Sequence, residues 1–87
     1  MSGGTHSYIA TFFSHYDAVR FAARAQGLGI AAKLMPVPRA VSSSCGTGAR
    51  FSMADESALG ALADDEGVDR IYRHDGGAYE LRYDSDS

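Results

Sequence analysis

Apolar and polar positions fall into alternating strand-like and helix-like blocks. Ser7 to Phe13 (SYIATFF) is dense in aromatic and β-branched residues and predicts a strand. Tyr8, Ala10 and Phe12 stand on one face, Ile9 and Phe13 on the other, which predicts a central strand with Phe12, Phe13 and Phe21 in the core. Ser14 occupies an N-cap position with Asp17 three residues on, the spacing of a capping box. Ala18, Phe21, Ala22 and Ala25 then recur at helical intervals, and Gly27 predicts the stop. Ile30 to Met35 (IAAKLM) predicts a second short strand ended by Pro36. A twelve-residue connection, Pro36 to Thr47, leads to a third strand over Gly48 to Met53.

Ala54-Asp55-Glu56 opens a second predicted helix, with acidic residues at its positive end. Leu59, Leu62 and Ala63 supply its buried stripe, and Gly67 ends it. Val68 to Arg73 is the fourth predicted strand, Asp75-Gly76-Gly77 a turn, and Tyr79, Leu81 and Tyr83 alternate along an added hairpin strand. This order predicts an α+β fold, a ferredoxin-like βαββαβ sandwich with an added C-terminal hairpin strand. Right-handed crossovers place its first and third strands side by side at the centre. The expected organisation is one domain over residues 7–83, with a flexible N-terminus over 1–6 and a flexible tail over 84–87.

Composition narrows the function classes. The 87 residues are 45% apolar and 22% charged, an ordinary globular balance. Eight basic residues against eleven acidic ones give a net charge of −3 without a Lys/Arg cluster, so no nucleic-acid footprint is expected. No apolar run approaches the ~20 residues that span a bilayer, and MSGGTHS lacks the regions of a signal peptide. A single cysteine, Cys45, cannot form an internal disulfide. A soluble cytoplasmic protein with no membrane partner is expected.

Candidate chemistry concentrates between Pro36 and Phe51 (PVPRAVSSSCGTGARF). Connections in compact domains have a median length of about 4–6 residues, so this loop calls for an explanation. Pro36 and Pro38 stiffen its entry. Gly46 and Gly48 permit positive φ, so the amides around Thr47 are expected to line a concavity for an anion. Ser42, Ser43 and Ser44 add hydroxyl donors, and Arg39 and Arg50 flank the segment. Each feature favours thiolate over thiol at Cys45, and electropositive sites lower a cysteine pKa from about 8.5 to about 3.5–7.5. The same donors suit a persulfide or selenopersulfide anion. The plainer alternative is a small buried cysteine beside solvated serines, with Arg50 as an exposed strand residue.

Pro36-Val37-Pro38-Arg39, then Ser42-Ser43-Ser44-Cys45-Gly46 and Ala49-Arg50-Phe51, resemble the small selenium/sulfur carrier protein-like family, formerly a domain of unknown function. The resemblance runs from His6 to Arg73 and takes in the opening strand and helix, Ile30 to Met35, and Ile71-Tyr72-Arg73. It implies a carrier whose Cys45 transiently holds sulfur or selenium, more a carrier than a turnover enzyme. A donor such as a cysteine desulfurase and a thiol acceptor protein are then its partners, and no cofactor or metal is implied. Thr47-Gly48 and the Gly76-to-Tyr83 hairpin depart from the family pattern.

Competing chemistries fit less well. Cys45-Gly46-Thr47-Gly48-Ala49-Arg50 has the C-x-x-G-x-R spacing of a rhodanese loop, but that loop leads into a helix and RFSM predicts a strand. The phosphatase spacing C-x₅-R fails by one residue. His6, His15 and His74 are not placed beside Cys45 by sequence order, and His15 is expected to be an exposed first-turn residue. They show no paired metal-ligand spacing with Cys45. The remaining alternative is a non-catalytic interaction or ligand-sensing module in which Cys45 is incidental.

Overall fold

The computed structural model describes residues 5–41, 46–54, 57, 59–63 and 67–85. Its elements are β1 (His6–Phe12), α1 (His15–Gly27), β2 (Ala32–Pro36), β3 (Thr47–Met53), α2 (Leu59–Ala63), β4 (Val68–Asp75) and β5 (Ala78–Asp84). The fold is α+β, with the strands in one sheet of order β2-β3-β1-β4-β5 and every pairing antiparallel. The expected central position of the first and third strands holds.

Alternation along the strands divides the sheet into two faces. Tyr8, Ala10 and Phe12 of β1, Ala49 and Phe51 of β3 and Ile71 of β4 join Ala18, Phe21 and Ala25 of α1 in the core. Phe51 is the hinge of an aromatic chain. Its ring stacks on Tyr8 at 5.4 Å and meets Phe21 at 5.4 Å, and Phe21 meets Phe12 at 5.2 Å. Such tilted and stacked pairs add to the burial of their area. Phe13 departs from expectation: β1 ends at Phe12 and Phe13 is 48% exposed. The chain turns there toward the helix cap, and Phe13 N donates to Gly67 O at 3.2 Å.

The start of α1 follows its sequence signal. Asp17 N donates to Ser14 Oγ at 3.2 Å, and the Ser14 hydroxyl donates to Asp17 Oδ2 at 2.8 Å. Its end does not. The helix continues through Gly27, and Gly29 adopts the left-handed conformation at φ 80°. Gly29 N bonds Gln26 O and Ile30 N bonds Ala25 O, the paired closure of a Schellman motif. Thus Gly29, not Gly27, reverses the chain. The Arg24 guanidinium reaches across to Ala61 O at 2.7 Å and Leu62 O at 3.4 Å, tying the end of α1 to α2.

Other boundaries shift for local reasons. Pro36 pairs with Thr47 at the end of the edge strand β2, where a missing N–H is tolerated. The described part of the second helix is Leu59–Ala63, with Ala54 in a bend before it; Asp55 and Glu56 lie outside the described residues. The β4–β5 hairpin turns on Gly76 and Gly77, both at positive φ, as a tight two-residue connection requires. A register shift then breaks the expected alternation of β5. Leu81 opposes Tyr72, but Tyr83 opposes Ile71 and packs on the core. Asp84 belongs to this strand and pairs with Arg70 at 3.7 Å, and Ser85 N bonds Asp69 O.

Candidate functional site

The punctuated loop is rooted where three elements meet. Antiparallel pairing of β1 with β3 sets the end of β1 beside the start of β3, with Thr11 opposite Gly48. The α1 helix begins three residues after β1, so its first turn stands over the same end of the sheet. Two interactions close the loop's base: the Pro36–Thr47 pair and a hydrogen bond from Val37 N to Gly46 O at 2.9 Å. The loop proper is therefore shorter than the twelve residues expected. Val41 N bonds Pro38 O at 3.0 Å, and the Val41 side chain is buried.

The sequence-predicted site residues divide among these positions. Cys45, Ser42, Ser43 and Ser44 lie outside the described residues. Gly46 takes φ 77°, the left-handed conformation expected of it. Gly48 does not; it is a buried member of β3. A Cβ there would stand 3.0 Å from Ala10 O and 3.3 Å from Val37 Cγ2. Glycine at 48 thus permits close packing between the loop entry and the sheet, rather than adding an amide to a positive-φ concavity.

Thr47 and Arg50 are separated by the pleat. Thr47 presents Oγ1 to His15, whose Nδ1 lies 3.3 Å away. Arg50 is exposed on the opposite face, which α1 does not cover, with Ile9 and Lys33 as its cross-strand partners. Arg39 is exposed in the loop turn. Arg39 and Arg50 have no ion pair among the described residues.

His15 is the residue that sequence order did not bring to this site. It is exposed in the first helical turn, as expected, yet its imidazole reaches the loop exit. The signal was available in the topology: if the first and third strands are antiparallel neighbours, a residue just after the first strand meets the start of the third. His6 sits at the other end of β1, opposite Met53. There it contacts Asp75 Oδ2 at 2.9 Å, beside Arg73 Nε at 2.6 Å. His74 stacks on Tyr79 in the hairpin, with ring centroids 3.9 Å apart. Among the described residues no group of three or more His, Cys, Asp or Glu could hold a metal ion.

This architecture defines a small α+β protein that suspends its cysteine-bearing loop from one end of an antiparallel sheet. A family model described as "Putative Se/S carrier protein-like" matches residues 7–73, and the chain belongs to that family. Comparison with curated proteins gave no match, and neither did comparison with solved structures. The matched residues contain the whole loop, β2 and β3, and all but the outer ends of β1 and β4, whereas β5 lies beyond them.

Proposed function

We propose that the protein carries sulfur or selenium as a persulfide or selenopersulfide on Cys45 and hands it to an acceptor protein. The observation that carries this reading is the family match across the loop, in which the chain's only thiol is covalently joined to Gly46. Gly46 is in turn anchored to Val37 at the sheet's end. A fixed loop base limits the entropy lost when a partner docks.

The transfer is an exchange between thiolates. The Cys45 thiolate attacks the outer sulfur of a persulfide on a donor such as a cysteine desulfurase. A new S–S bond forms at Cys45, the donor's S–S bond breaks, and the donor cysteine leaves as thiolate. An acceptor thiolate then attacks the outer sulfur on Cys45, which leaves as thiolate in turn. No electrons are gained or lost overall, because the sulfane sulfur is only moved. Without a second cysteine in the chain, no internal thiol can discharge it.

The strand order β2-β3-β1-β4 with antiparallel pairing supports a ferredoxin-like βαββαβ sandwich, with β5 as the added hairpin strand. No helix among the described residues is long and apolar enough to cross a membrane. A cytoplasmic site of action suits a thiol that must stay reduced between cycles. Alkylation of Cys45 followed against pH tests the reading. An inflection below that of free cysteine supports a poised thiolate, and one at or above it favours an interaction module with an incidental cysteine.

A further inference from the structure

The sheet face turned away from the helices carries a second feature. One rung of side chains crosses all five strands there: Lys33, Arg50, Ile9, Tyr72 and Leu81, each opposite the next. Its two ends differ in chemistry. Ile9 is 3% exposed at the centre, and Tyr72 and the half-exposed Leu81 extend an apolar strip across β4 and β5. At the other end Lys33 and Arg50 are exposed and directly opposed across β2 and β3. Like charges in that relationship repel, and neither has an ion pair among the described residues. The next position on this face, Met35 opposite Gly48, adjoins the Pro36–Thr47 pair that roots the loop.

We infer that this rung is a docking surface for an acidic, partly apolar segment of the protein that exchanges sulfur or selenium with the loop. Carboxylates of such a segment would neutralise the Lys33–Arg50 pair, while its apolar side chains cover Tyr72 and Leu81. Charge complementarity decides the occupant. The chain as a whole is acidic, at −3, so this is a local cationic site and not part of a general basic surface. A segment lying along the rung passes three residues from the Pro36–Thr47 pair at the loop's base, which suits delivery to the loop that bears Cys45. The identity of the partner rests on the carrier reading; the surface itself does not.

The test uses full-length Cys45→Ser protein, so that docking is read without the thiol. The probe is a short fluorescein-labelled peptide alternating Glu and Leu, with a Lys/Leu peptide and a single-stranded oligonucleotide as competitors. Binding is followed by anisotropy and by amide chemical shifts. Shifts centred on Ile9, Lys33, Arg50, Tyr72 and Leu81 are expected. Lys33→Glu with Arg50→Glu should weaken binding about tenfold or more. Lys33→Gln with Arg50→Gln should also weaken it while holding or raising the melting temperature, since a repulsive pair has been removed. Unchanged affinity in both double variants, shifts on another surface, or tighter binding of the basic peptide or oligonucleotide would overturn the inference. None of these outcomes alters the sulfur loading of wild-type protein, so this surface and the carrier reading fail separately.

Discussion

His15 Nδ1 lies 3.3 Å from Thr47 Oγ1, joining the first turn of α1 to the residue two positions past Cys45. Thr47 follows Cys45 by two positions in the chain. The imidazole is thus the titratable group that the described structure brings to the loop exit. An imidazolium near a thiolate favours the charged sulfur.

Replacing His15 by Gln should therefore raise the inflection in the alkylation of Cys45 by about one pH unit. Thr47→Val provides the contrast, since it removes the hydroxyl contact and keeps the imidazole. If His15 only anchors the loop, both variants will behave alike. If it acts on the thiol, the shift will follow His15→Gln. An inflection unmoved in both would remove His15 from the site.

Gly48→Ala should destabilise the fold by about 1–3 kcal/mol, the usual range for overpacking. The obstruction at Ala10 O is backbone in the central strand and cannot swing aside, unlike the Val37 side chain. Chemical denaturation measures the loss. Unchanged stability would mean that the β1–β3 contact relaxes more readily than its geometry implies.

Asp75 gives the acid response a defined origin. The hydrogen bond from Arg73 holds its carboxyl well below the usual range, at about 2, against a desolvation effect that acts upward; Ser7 N and His6 add to the lowering. A carboxylate with a depressed folded pKa stabilises the fold above its unfolded value, and that contribution disappears as pH falls through the folded one. Asp75→Asn should accordingly melt earlier than wild type at neutral pH. The gap should narrow below pH ~4 and close near pH ~2. A gap independent of pH would assign the effect of Asp75 to shape.

Much of this frame was legible in the chain. Ser14 and Asp17 announced the start of α1, and alternation about Tyr8, Ala10 and Phe12 located the core face of β1. These signals are local and answer to short-range physics. The misses arose where tertiary contacts decide. Gly27 and Gly29 are both plausible stops, and the hydrogen bonds of Gly29 and Ile30 select the second. Phe13 has the composition of a core residue, but the chain leaves the sheet before it. The β5 register shift at Ile71/Tyr72 turns Tyr83 inward, which strict alternation could not foresee. In the loop, glycine at 46 and 48 looked alike, yet only Gly46 uses a positive φ.

The mass of the intact protein after incubation with a cysteine desulfurase and cysteine, or with a selenide source and an oxidant to form the selenenyl bond, tests the carrier function most directly. Wild type is predicted to gain one sulfur or selenium atom, to lose it on thiol reduction, and to show no gain as Cys45→Ser or Cys45→Ala with the fold intact. Identical masses for wild type and the Cys45 variants across several such donors would contradict the carrier function and leave the loop thiol without a role in chalcogen transfer.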